Sequence, residues 1–580
     1  MPDFNPKGDL MGNFIKTQNV FSFGEVSSEF YAVHNDGGVA VLENMDVLPS
    51  GGLKRRCGLK HIATISDDAI LVQFKISESE KYLLVIYERA IDIYSDDIKI
   101  ASVISPWHIN ELKQLQYAQR FNSLFFVHPL YKPVILTKDS SGFHISFFYF
   151  DVNSDLSVNI PFIRFDDMEG VGITISSSGI DNNHATFTTN VDFWTNDWVG
   201  ERVLVNSKQW IIESVQSERV ATAYTNGDFT FTVNPIYDWY TCAFSDKCGW
   251  PNSVSFHQNR MVFGGTKSSP NNIWMSKTGK YNNFDAGTGL DDEAVCLTLL
   301  SANHHKICTI VSGDSLQVLT SNGEWAILNS PLTPSNVSVK QHTSVGSIDT
   351  FYLPPQKIEG ATVFVSQSGK DIRELDIDVL NERYNATDLC TYAKHLMNNP
   401  ISMSFNQEQH KLFVVMNDGY MAVYNKYSNT EISAWATYKT DGLFKYVCVV
   451  GDTTYVVVQR GNNTYLEKFD ENCLNDANQY NFSYKISAFP MIVNGHSPKN
   501  IRVRKISVRV KNTKTLFANN YRMEIPNYVY EPTSNGYTGD LSINLLGCQS
   551  NTIEPIWILS SSEQLPATIL SVSVEGWYLI

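Results

Sequence analysis

Short apolar runs, paired across a glycine-bearing turn, recur from one end of this 580-residue chain to the other. Residues 411–424 (KLFVVMNDGYMAVY) set Asp418-Gly419 between two such runs, 314–328 (DSLQVLTSNGEWAIL) set Asn322-Gly323, and 454–469 (TYVVVQRGNNTYLEKF) set Gly461-Asn462-Asn463. Glycine accepts the positive φ that a tight reversal demands, so each stretch reads as a β-hairpin. Residues 82–94 (YLLVIYERAIDIY) read as two strands around a short polar turn. Strand pairs at intervals of roughly ten residues leave a sandwich, a barrel or a propeller. The propeller fits best, although the repeat is too degenerate for its period to count blades. Composition agrees: 12% aromatic residues suit pleated surfaces, and 43% hydrophobic against 18% charged residues describes a folded chain.

A chain this long calls for about two to four domains. The expected fold is mostly β: a β-propeller-like main domain, an inserted small β-barrel-like domain, a C-terminal β-rich region and few short helices. Composition shifts place an N-terminal segment and the first part of the propeller at 1–165, and the inserted domain at 166–235. The rest of the propeller takes 236–487, and the C-terminal region 488–580. Val203, Val205, Trp210, Ile212 and Val215 are the insertion's core candidates. Two helices are expected. Residues 105–120 offer Ser105 as cap, Pro106 at the first helical position and Leu112 and Leu115 on one face; residues 387–396 space Leu389, Tyr392, Ala393 and Leu396 at helical intervals.

The net charge is −15. Gripping a phosphate backbone takes clustered cations, the opposite of this balance, whereas an acidic surface lets nucleic acid slide past. The stripe Arg502, Arg504, Lys505, Arg509, Lys511 is a local exception and reads chiefly as a solvated or salt-bridged strand face. Asp291-Asp292-Glu293 lacks the spacing of a calcium loop. His257 and His304-His305 stand without a nucleophile elbow, a zinc-protease signature or a Cys-His pairing. Nine irregularly spaced cysteines argue against a disulfide framework or zinc knuckle. The opening MPDFNPKGDLMGNF lacks the order of a secretory signal, and no apolar run reaches a membrane-spanning length, so folding in a reducing cytosol is expected. No catalytic, cofactor-binding or metal residues are assigned, and no enzyme activity or cofactor is expected.

The most distinctive stretch is 249–300 (GWPNSVSFHQNRMVFGGTKSSPNNIWMSKTGKYNNFDAGTGLDDEAVCLTLL). Val254, Phe256, Met261 and Phe263 alternate as in a half-buried strand that carries Arg260, and Gly264-Gly265 then Ser269-Pro270 punctuate the way to the next. This block resembles the tail nozzle proteins of short-tailed bacteriophages, also called tail tubular protein B or head-to-tail stabilisation proteins. Collinear resemblances occur at 21–31 (FSFGEVSSEFY), 42–62 (LENMDVLPSGGLKRRCGLKHI), 111–136, 325–347, 384–396 and 560–576. Cys57 stands where the family pattern has proline.

The resemblance implies a homo-oligomer, a hexameric ring attached below the portal and adaptor proteins, next to tail fibre or tail tip proteins. It would line a channel through which phage DNA passes without sequence-specific binding, in a virion tail assembled in host cytoplasm. Phe23, Gly24, Glu25, Arg55 and Arg56 are the candidate assembly contacts. Two other readings carry different expectations. A propeller-type host-surface glycan-binding or glycan-degrading tail protein would gather arginines with a Tyr/Glu pair, and a hub of a longer-tailed phage would share the fold with other neighbours.

Overall fold

The computed structural model describes all residues except 1–2, 5–9, 31–35, 67–68, 302–304, 379–382, 493–496, 527–535, 546–548, 551–553 and 580. Strands dominate, with helix confined to 3-10 segments of three to six residues among the described residues. The chain divides into two compact units. One comprises Met1–Ser102, Leu353–Asp376 and Ala386–Ile580, and the other Val103–Tyr352 and Ile377–Asn385.

The second unit repeats one design three times. Strands Gln116–Arg120, Ser123–His128, Tyr131–Asp139 and Gly142–Phe147 form an antiparallel sheet whose spatial order is their sequence order. Ser253–His257, Arg260–Gly264, Asn272–Met275 and Val295–Thr298 form another, and Ile307–Ser312, Leu316–Thr320, Gly323–Ile327 and Lys340–Thr343 a third. The first strands of these successive sheets run beside one another. Four-stranded meanders abutting through their first strands are propeller blades.

Between the first and second of these sheets the chain builds a separate seven-stranded sheet running from Phe162–Ile163 to Trp239–Cys242. Its core gathers Phe187, Trp194, Trp198, Val203, Val205, Trp210, Ile212 and Trp239, with Val215 packed at the margin. The indole N–H of Trp239 donates to the carbonyl of Val171 at 2.9 Å, so that tryptophan is buried with its polar edge satisfied.

The design recurs at Ile70–Lys75 through Ile98–Ile104, at Gln356–Ile358 through Arg383–Asp388, and at Pro400–Asn406 through Ile432–Tyr438. A further sheet is completed across the sequence. Leu443–Val450, Thr453–Arg460 and Asn463–Asp470 take Gly58–Ile65 as their fourth strand, with Thr464 opposite Ile65 and Asp470 opposite Gly58. The C-terminal region pairs Asn500–Thr513 with Thr568–Leu579, which pairs in turn with Leu10–Gln18. Ile501, Val503, Ile506, Val508 and Val510 are buried on one face of it, and a bulge between Val503 and Lys505 shifts the alternation by one residue.

All four hairpins read from the sequence are present; three turn at or beside their glycines, and the fourth, between Lys81–Tyr87 and Ala90–Ser95, turns at Glu88-Arg89, with Arg89 at φ 56°. Three local readings change. Residues 105–120 hold only the 3-10 turn Ile109–Gln114, because Gln116–Arg120 pairs with Ser123–His128 across a turn at Phe121, φ 51°. The backbone N–H of His108 donates to Glu111 Oε2 at 2.9 Å, which supports one turn but does not outweigh the blade's need for a strand. Likewise 387–396 keeps only Lys394–Leu396 as a 3-10 turn, after the strand Arg383–Asp388. Finally, Val254 to Phe263 is a hairpin rather than one strand, with Val254 opposite Phe263 and Phe256 opposite Met261. Gln258 and Asn259, at φ 43° and 58°, make the reversal without glycine.

Candidate functional site

In the second unit Arg260 is buried on the strand Arg260–Gly264. Its Nη1 donates to the carbonyls of Ser276 at 2.7 Å and Glu293 at 2.5 Å, and its Nη2 to the carbonyl of Asp291 at 2.8 Å. Burial draws its pKa downward. The acidic loop is therefore tied to the blade through its backbone, and Glu293 closes it from within. Glu293 Oε2 accepts the N–H groups of Thr288, Gly289 and Leu290 at 2.7, 2.6 and 2.9 Å, which holds its carboxyl below the usual range. Two histidines have framework partners as well. His257 Nδ1 lies 2.9 Å from Ser312 Oγ; His305 meets Thr320 Oγ1 and Ser301 Oγ at 2.9 and 3.0 Å. His304 lies outside the described residues.

In the first unit the candidate assembly residues turn inward. Gly24 adopts φ +63° against Trp435, where a Cβ would meet the Trp435 carbonyl oxygen at 2.2 Å. Phe23 stands edge-on to Tyr392, ring centroids 5.7 Å apart. Buried Glu25 accepts the Leu42 N–H at 2.9 Å and the Thr437 hydroxyl at 3.1 Å, with His395 Nε2 at 3.2 Å from its other oxygen.

Arg56 is 1% exposed and satisfies all five of its donors. Nε donates to Asn44 Oδ1, Nη1 to the Cys57 carbonyl and Asp476 Oδ1, and Nη2 to the Lys439 carbonyl and Asp476 Oδ2, all at 2.8–2.9 Å. Its face covers Phe482 at 3.6 Å. Arg55, also buried, donates through Nη2 to the Leu474 carbonyl and Gln564 Oε1 and lies over the same ring at 4.1 Å. Burial, then the neighbouring Arg56, lowers its pKa to about 10. Nearby, Asp46 pairs with Lys411 at 2.9 Å and accepts the Tyr438 hydroxyl.

Glu25, Arg55 and Arg56 are buried and make hydrogen bonds within the protomer. Charged side chains read as surface in a sequence, but a guanidinium can be buried when its hydrogen bonds are met, as at Arg56, whereas Arg55 is held through Nη2 alone, its Nε and Nη1 being buried without an acceptor among the described residues. Asn44, Asp46, Lys411, Tyr438 and Asp476 were not recognised as parts of this centre. The only signal was the adjacent arginine pair, since Asp476 comes from far along the chain. The basic stripe is partly neutralised: Arg509 forks onto Asp540 at 2.8 and 3.0 Å, and Lys505 lies 3.8 Å from Glu575.

Residues 251–494 match the family model of the bacteriophage nozzle protein. That segment belongs to the nozzle family. The match supports a structural component of a phage tail. The nozzle segment contains Arg260 with its acidic loop, and also Asp476, whereas Arg55 and Arg56 precede it. No curated protein matches the sequence. Among solved structures, the chain is similar to BamB from Moraxella catarrhalis (10% identity, TM-score 0.31, 71% of this chain and 98% of that one). It is also similar to the C-terminal WD40 domain of Sif2 (11%, TM-score 0.34, 72% and 99%) and to YCF48 from Cyanidioschyzon merolae (11%, TM-score 0.26, 55% and 87%).

Proposed function

We propose that the chain is a non-enzymatic protein of a short-tailed phage virion that forms the tail nozzle. It assembles as a homo-oligomeric ring, most simply a hexamer, and continues the DNA-ejection channel below the portal and adaptor. Fibre or tip proteins join it further along the tail, and assembly takes place in the host cytoplasm. The observation that carries the reading is the nozzle match over 251–494, a segment whose buried arginine and carboxylate are spent on holding loops to blades. Rigid blades carrying such loops suit a wall that closes by joining two different patches of each subunit. The −15 net charge favours passage of DNA, since each neutralised phosphate would add affinity and slow it.

The test is to size the purified full chain alone and with its adaptor ring, then image the product. A defined ring seated on the adaptor with a net-negative lumen is the expected result. A persistent monomer with hydrolase activity, or a net-basic lumen, overturns the reading.

A further inference from the structure

Four histidines are buried among the described residues, and all four belong to the second unit: His128, His257, His305 and His342. The first unit buries none of its described histidines. Two of the four are placed so that only the neutral ring fits. His128 closes the strand Ser123–His128, and its Nδ1 accepts the Leu130 N–H at 3.1 Å. His342 sits on the strand Lys340–Thr343, and its Nδ1 accepts the Tyr384 N–H at 3.1 Å. In both rings Nε2 is buried without an acceptor among the described residues. A second proton would face an N–H on one edge and leave the other edge's N–H without an acceptor, so neither ring is prepared for a positive charge.

The surroundings push the same way. Burial, then the neighbouring Lys340 and Arg383, lowers the pKa of His342. The Arg383 guanidinium also donates to the His342 carbonyl at 3.3 Å, and the Tyr384 hydroxyl lies 2.8 Å from Ser315 Oγ, so the ring is one of several ties between Tyr384 and the blade. Beside His128, Glu111 favours the proton, but burial outweighs it; that carboxylate already accepts the Tyr131 hydroxyl at 2.5 Å and the His108 N–H at 2.9 Å. His257 and His305 meet hydroxyl oxygens, which serve either protonation state. The inserted sheet is built the other way. His184 lies between Asp181 Oδ1 at 2.6 Å and Glu213 Oε2 at 3.0 Å, and these carboxylates favour its charged form.

We propose that the blades of the second unit carry an acid-sensitive latch: protonation of His128 and His342 releases the turn at Leu130 and the tie to Tyr384, while the inserted sheet and the first unit keep their structure. A folded ring that takes its proton less readily than the ordinary value near 6.5 contributes stability above that pH and loses it as pH falls, toward about 4 for His128. His184 has the opposite sign, because its contribution is present below the unfolded value. The latch belongs to the single chain and stands whether or not copies join in a ring.

Hydrogen exchange of the full chain, followed peptide by peptide from about pH 7.5 to about 4.5 and corrected for the intrinsic rate, tests it. Peptides covering 123–139 and 323–343 should lose about tenfold or more of their protection over that range, while those in 184–224, 411–427 and 500–513 keep theirs. His342→Asn, whose Oδ1 can accept the Tyr384 N–H at any pH, should flatten the change at 323–343 and leave that at 123–139 in place. Deuterium exchange at the imidazole C2 positions of the unmutated chain keeps the test decisive if the variant fails to fold. There His128 and His342 should show midpoints below about 6.5. Equal loss of protection in both units, loss in the first unit before the blades, an unchanged profile in His342→Asn, or midpoints at the ordinary value would each overturn the latch.

Discussion

The Arg56 guanidinium and the Asp476 carboxylate meet through two parallel hydrogen bonds of 2.9 and 2.8 Å, with both side chains closed off from solvent. Removing one partner strands the other's charge in the interior. Asp476→Ala should therefore cost roughly 3–5 kcal/mol, read as a lower denaturant midpoint. The double variant Arg56→Met/Asp476→Leu should recover much of that loss, since no charge is left unpaired. A loss equal to the sum of the two single variants would contradict this account.

Gly24 tests the backbone in the same unit. Alanine there combines a positive φ with a Cβ 2.2 Å from the Trp435 carbonyl oxygen. Gly24→Ala should lower stability by roughly 1–3 kcal/mol or more, measured by thermal unfolding. Gly461, at φ +59°, has open space around its Cβ position. Gly461→Asn should stay close to wild type, because asparagine tolerates the left-handed region.

His128 links stability to pH. Burial lowers its pKa to about 4, and its Nδ1 accepts the Leu130 N–H at 3.1 Å, which requires the neutral ring. In the unfolded chain the ordinary value near 6.5 applies. The folded state therefore binds fewer protons in that window, and stability is present above about pH 6.5 and lost as pH falls toward about 4. Denaturant midpoints collected across this range should decline for the wild-type chain and decline less steeply for His128→Gln.

Glu293 acts with the same sign lower in pH. Its carboxyl is held below the usual range by three backbone N–H groups, so its contribution is present above the unfolded carboxylate pKa and fades as pH falls through the folded one. Glu293→Gln should expose the 285–293 loop to limited proteolysis at neutral pH, and acidification of the wild-type protein should do the same. Equal cleavage of both proteins at neutral pH would refute the closure.

The hairpins were legible because their instructions are local. A turn such as Asp418-Gly419 and the flanking apolar runs lie within a few residues of each other, and pleat and reversal arise from those residues. The core of the inserted sheet was legible for the same reason, through alternation at Val203 and Val205 and at Trp210 and Ile212. The two expected helices were not. Capping residues at 105–120 and 387–396 favour only a single turn, and strand pairing claims the neighbouring residues Gln116–Arg120 and Arg383–Asp388.

By itself, the chain's order of residues determined a β architecture of sequential hairpins and the motifs of a nozzle protein, since both are written at short range. Only the tertiary structure decided that Gly58–Ile65 completes a sheet with Asn463–Asp470, and that Arg56 points inward to Asp476 while Arg55 reaches the Leu474 carbonyl and Gln564. A buried charge depends on a partner that chain folding brings from far away, and no pattern of neighbouring residues encodes that meeting.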